Sequence, residues 1–133
     1  MSGQILIVDD SSRDRDLALD VLAKSGFDLE VVCVHDGEEA LDYLLRRRDF
    51  RLRRAEAPSL ILLDIKMPKL DGVEVLRHLR GHQELTKIPV FMVSSSRQEQ
   101  DILAAYDLKA DGYLIKPLSQ QQLEAAIEVA RKR

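Results

Sequence analysis

A single cysteine, Cys33, stands in a chain of 133 residues, so no internal disulfide framework can form and a reducing compartment suits the chain. Between Val32 and Val34, that thiol reads as a buried strand residue and not as a reactive group. No apolar run approaches the ~18 residues needed to span a membrane. The start, Met1-Ser2-Gly3-Gln4, lacks the basic and long apolar segments of a signal peptide, so a cytoplasmic protein is expected. No glycine fingerprint follows the first apolar run, which excludes a dinucleotide fold. His35, His78 and His82 show no metal-ligand spacing. Positive charge is not in excess either. A net charge of −3 gives no global attraction to nucleic acid or to anionic membranes.

What is present has the balance of an ordinary globular protein, 45% apolar and 32% charged, with material for one domain over 1–133. Apolar runs recur at Ile5-Leu6-Ile7-Val8, Leu29 to Val34, Leu60-Ile61-Leu62-Leu63, Ile88 to Val93 and Gly112 to Lys116. Such near-continuous runs read as strands covered on both faces. Between them lie helical spacings. Leu17, Ala18, Val21 and Leu22 follow a Ser11-Ser12 cap, and Ala40, Leu41, Leu44 and Leu45 follow Asp36-Gly37. Val73, Leu76 and Leu79 follow Asp71-Gly72, Ile102, Leu103 and Tyr106 mark the inner side of a fourth helix, and Leu123, Ala126, Ile127 and Ala130 that of a fifth. Five strands alternating with five helices require right-handed crossovers. The expected fold is a doubly wound α/β domain with a five-stranded parallel sheet in the flavodoxin-like order 2-1-3-4-5. Only Arg131-Lys132-Arg133 follows the last helix, so no output domain is expected.

Residues 46 to 57 break the pattern with six arginines and little apolar periodicity. They read as a frayed helix end running into a solvated loop, with contact to a partner as the second reading. No interleaved aromatic platform makes them a nucleic-acid surface.

The polar residues that interrupt the apolar runs fall at the carboxyl ends of strands: Asp9 and Asp10, Asp64, Ser94 and Lys116. A parallel sheet gathers those ends on one side, where open α/β folds place their ligands. Singly, each has a bland reading as a capping acid, a turn acid, a strand-end serine or a surface lysine. Together they form one chemistry. Three clustered carboxylates repel one another and call for a divalent cation, and hard oxygen ligands suit Mg²⁺. Lys116 supplies a point charge and Ser94 a hydroxyl. An acidic pocket of this kind suits phosphoryl transfer, with Asp64 as a carboxylate nucleophile. Pro117 confines Lys116 to an extended conformation and admits a cis bond.

Asp9-Asp10, the Leu62-Leu63-Asp64-x-x-Met67-Pro68 segment with Asp71-Gly72, Ser94 and Lys116-Pro117 resemble the receiver domain of two-component response regulators. The resemblance covers essentially the whole chain. It implies that Asp64 accepts phosphate from a sensor histidine kinase. It implies that Asp9, Asp10, Asp64 and the backbone carbonyl of Lys66 hold Mg²⁺, and that Ser94 and Tyr113 switch the face made by the fourth helix, fifth strand and fifth helix. Such a protein is not a conventional enzyme, although it catalyses its own phosphorylation and dephosphorylation. The insertion, the Ser94-Ser95-Ser96 run and Tyr106-Asp107-Leu108 resemble the small regulators paired with bacterial phytochromes, which implies a bacteriophytochrome kinase and a homodimer through that switching face. Ser95 stands where the family commonly has alanine, and Lys66 is expected to impede an in-line water. Two other functions compete. A haloacid-dehalogenase-type phosphatase would need a second acid at position 66, and a flavodoxin-like FMN module would need a less acidic loop than Asp9 to Asp14.

Overall fold

The computed structural model describes residues 3–54, 56–95 and 98–132; Ser96 of the serine run lies outside them. The strands are β1 (Gln4–Val8), β2 (Glu30–Val34), β3 (Leu60–Asp64), β4 (Val90–Ser94) and β5 (Gly112–Ile115). The helices are α1 (Ser12–Ser25), α2 (Gly37–Leu44), α3 (Gly72–Gly81), α4 (Glu99–Asp107) and α5 (Gln120–Arg131). All pairings are parallel and the order is β2-β1-β3-β4-β5, as the alternating pattern predicts.

The period of two along each strand divides the core. Leu6, Val8, Ile61, Leu63, Val90 and Met92 face the layer of α2, α3 and α4. Ile5, Ile7, Leu60, Leu62, Phe91 and Val93 face α1 and α5. Every residue of β3 and β4 is buried, and each fully covered Leu or Ile there stabilises the fold by about 2 kcal/mol relative to exposure. The edge strands β2 and β5 are only partly covered, which is why Cys33 is half-buried and not sealed in the core.

Three expectations change. In α1 only Ala18 and Leu22 are buried, while Leu17 stands 45% exposed. In α4 the buried stripe runs through Ala105, so Leu103 and Tyr106 point outward, each 53% exposed. A small residue marks this inner face, and apolar bulk misleads there. Third, β4 begins at Val90 and not at Ile88, because Pro89 has no N–H for the ladder, although its carbonyl still accepts from Ile61 at 2.9 Å.

Residues 46 to 54 are not frayed. A 3₁₀ turn forms at Arg48–Phe50, and the Arg53 guanidinium donates to the carbonyls of Tyr43, Leu44, Arg54 and Glu56. Arg53 also lies 4.4 Å over the Tyr43 ring, whose edge packs on Phe50 at 5.1 Å, while the Tyr43 hydroxyl donates to Gln4 at 2.6 Å. A comparable clamp closes the loops beside α3. Arg80 donates to the carbonyls of Thr86, Ile88, Leu108 and Lys109, and pairs with Asp111, which accepts the Val90 N–H at 2.7 Å.

Candidate functional site at the carboxyl end of the sheet

Each site residue is set by the element that ends at it. Asp9 directly follows β1, is buried, and accepts the Ser11 N–H on Oδ1 at 2.9 Å. Its backbone N–H donates to Val34, and its carbonyl accepts from Arg15. Ser11 caps α1 by accepting the Asp14 N–H, which turns Asp14 back toward the sheet edge. Asp64, the last residue of β3, is 5% exposed. Behind it α3 opens with a capping box between Asp71 and Glu74. Gly72 fits there because a Cβ would collide with the Asp64 carbonyl oxygen and Ile65 Cα. Ser94 ends β4 fully buried, and its carbonyl accepts the Lys116 N–H at 2.9 Å, bringing the two residues side by side. The Lys116–Pro117 bond is cis.

One carboxylate oxygen from each of Asp9, Asp10 and Asp64 lies within 4.8 Å of the other two. The Lys116 ammonium reaches three acids, at 2.9 Å from Asp9, 2.7 Å from Asp14 and 3.5 Å from Asp64. Leu17, Pro117 and Leu118 form an apolar wall to the adjoining cleft, which keeps this charge out of bulk water. Burial, then the charge of Asp9, pushes Asp64 up to about 7, although the Lys116 charge and hydrogen bond pull the other way. Burial would lower the Lys116 ammonium, but hydrogen bonds to Asp14 and Asp9 and the charges of Asp64 and Asp9 leave it above its ordinary value.

The expected residues Asp9, Asp10, Asp64, Ser94 and Lys116 thus meet at one edge. Tyr113 lies one strand away, half-buried on β5 against the α2–α4 layer. Lys66 turns its side chain outward, 63% exposed, and its Nζ stands 3.5 Å from Asp101 on α4. Asp14 was not expected. The readable signal for it is the Ser11 cap, which fixes the third helical residue above the sheet edge.

Fold and site together define a class, the flavodoxin-like domains with an acidic pocket and a lysine at the topological switch point. The chain belongs to the response regulator receiver domain family, which residues 5–128 match. It is a phosphorelay signalling domain of two-component systems. Response regulator Rcp1 of Synechocystis sp. is 38% identical over 112 residues, covering 84% of this chain and 75% of the relative. A structure described as the Mn²⁺-bound form of Rcp1 matches with a TM-score of 0.82 at 33% identity, over 96% of this chain and 91% of that one. The bacteriophytochrome response regulator RtBRR matches with a TM-score of 0.89 at 44% identity, over 98% of this chain and 78% of that one. The phosphorylated cyanobacterial phytochrome response regulator RcpA matches with a TM-score of 0.83 at 36% identity, over 97% and 91%.

Proposed function

We propose that Asp64 accepts a phosphoryl group from the phosphohistidine of a sensor histidine kinase, and that this kinase is a bacteriophytochrome. An Asp64 carboxylate oxygen attacks phosphorus, the P–N bond breaks, and its electron pair leaves with the imidazole. Lys116 favours the ionised, attacking form of Asp64 and then faces the phosphoryl oxygens, and the Ser94 hydroxyl donates to another of them. Asp14 keeps the ammonium aimed across the pocket. The donor set fits a hard divalent cation, since one ammonium is spread over Asp9, Asp14 and Asp64 while the carboxylates of Asp9, Asp10 and Asp64 converge. Asp9, Asp10 and Asp64, with the backbone carbonyl of Lys66, would hold Mg²⁺, which supplies charge neutralisation at the transferring group. The observation that carries this reading is the buried Asp64 at a strand end, between the Lys116 ammonium and the acids.

The names of RtBRR and RcpA support the phytochrome pairing. Occupation of the pocket draws Ser94 and Tyr113 inward and reshapes the α4–β5–α5 face, a bistable element biased by local charge. Exposed Leu103, Tyr106 and Val129 give that face apolar surface for a homodimer. The domain works in the cytoplasm, where ATP-fed kinases supply the phosphohistidine, and the chemistry it promotes is the gain and loss of its own phosphate. Among the described residues no helix is long and apolar enough to cross a membrane.

Radiolabel from a phosphorylated bacteriophytochrome kinase should appear on the protein only with Mg²⁺ and be absent from Asp64→Asn. Label retained by that variant overturns the assignment. Sedimentation should show a dimer that Tyr106→Glu disrupts; a monomer with and without a phosphoryl mimic removes the homodimer from the proposal.

A further inference from the structure

Between residues 46 and 54 six arginines face one acid, Asp49, in a chain whose net charge is −3, so the remainder of the molecule is strongly acidic. Charge this concentrated would keep a free loop extended. Here the Arg53 clamp, the Tyr43–Phe50 ring contact and the 3₁₀ turn fold the segment against the end of α2. Two non-glycine residues, Arg46 and Arg48, adopt left-handed backbone with φ of 55° and 54°, a strained conformation that the surrounding contacts hold in place. The result is a shaped surface. Arg47 and Arg48 are balanced by Asp42, at 3.2 and 3.4 Å. Arg51 and Arg54 stand exposed beside Leu52, whose side chain is 88% exposed, the most of any large apolar residue among those described.

We propose that this insertion is a docking surface for an acidic protein segment carrying an apolar side chain that meets Leu52. An apolar anchor rimmed by guanidiniums has the composition of an interface centre, and holding the loop in one shape beforehand reduces the ordering cost of binding. Carboxylates match the planar, bidentate donors of Arg51 and Arg54. Nucleic acid fits less well. The two rings that could stack on bases, Tyr43 and Phe50, are turned onto each other, and the acidic remainder of the chain repels a polyanion.

The surface lies at the amino end of the sheet. The Tyr43 hydroxyl bonds Gln4 at the start of β1, and Ser59 just before β3 donates its N–H to the Gln4 carbonyl. Asp64 lies at the opposite end of β3. A segment bound to the insertion therefore leaves the acidic pocket open to a phosphoryl donor, and both can be engaged at once.

A displayed library of random 12-residue peptides, selected against the full chain near physiological salt, tests the assignment. The selected peptides should combine acidic residues with an apolar one. Their affinity should fall at least tenfold both in Arg51→Glu/Arg54→Glu and in Leu52→Asp, and should tolerate phosphorylation of Asp64 in the same sample. Circular dichroism melts that match the parent chain show that these exposed positions do not act through folding. Peptides without acidic enrichment, or binding unchanged in both variants, overturn the proposal. Tighter binding of single-stranded RNA or of phosphatidylserine vesicles than of any peptide also overturns it. So does self-association that the charge reversal abolishes, because the occupant would then be a second copy of the chain.

Discussion

At the carboxyl end of the sheet one ammonium meets three carboxylates with a fourth, Asp10, beside them, whereas at the amino end Arg53 and Arg80 direct their donors at backbone carbonyls and a single acid, Asp111. The first arrangement leaves charge over in a buried place, and burial first, then the Asp9 charge, raises the pKa of Asp64. The second satisfies nearly every donor at once. An over-acidic pocket is a poor way to stabilise a fold and a good way to be ready for a cation and a phosphoryl group. A saturated clamp is the reverse, holding loops without exchanging partners. Signalling chemistry and structural fastening are thus separated by the length of a strand.

The contrast breaks most visibly at Arg80. Replacing it with Met should cost about 3 kcal/mol in urea unfolding, because Asp111 and several carbonyls lose a half-buried partner together. That loss should not change between pH 6 and 9 or with Mg²⁺. A pH- or Mg²⁺-dependent loss would mean the two ends are coupled.

At the other end the sign reverses. The Asp64 carboxyl has a folded pKa of about 7, above its unfolded value, so between roughly pH 4 and 7 the folded state holds a proton that the unfolded state has released. Stability from this group is therefore greatest below that window and falls as pH rises through it. Asp64→Asn should be more stable than the parent by about 2 kcal/mol at pH 8 without divalent cations, with the advantage gone near pH 4. Parallel pH profiles for the two proteins would remove the excess charge from the account.

The smallest effect on stability belongs to Lys66→Asn, below about 0.5 kcal/mol, since the Lys66 side chain is 63% exposed and its ammonium is screened by water at 3.5 Å from Asp101. If Lys66 shields the acceptor from water, the phosphorylated variant should lose its label severalfold faster. An unchanged lifetime would make the lysine a surface residue.

The pocket was legible in the sequence because its members interrupt apolar runs, and a single acid after Leu60-Ile61-Leu62-Leu63 has no packing role to hide in. The strand order followed from the alternation of elements. The clamps were not legible. Arg53 and Arg80 act on carbonyls, which every residue type carries, so no partner side chain marks them. Asp14 looked like one more acid in an acidic loop until the Ser11 cap fixed its direction. The inner face of α4 was misplaced because Ala105 fills a position where bulk was sought.

Gly72 has a mechanical consequence. With no side chain between them, the start of α3 rests bare on the main chain of Asp64 and Ile65, and its N–H bonds the Ile65 carbonyl at 2.9 Å. This wall of the pocket is stiff. Across the pocket, the first turn of α4 is tied to its N-cap by backbone bonds, the Asp101 and Ile102 N–H groups donating to the Gln98 carbonyl at 3.1 and 3.3 Å. A group added at Asp64 therefore meets unyielding main chain on the α3 side, and room for it has to come from the other sides of the pocket.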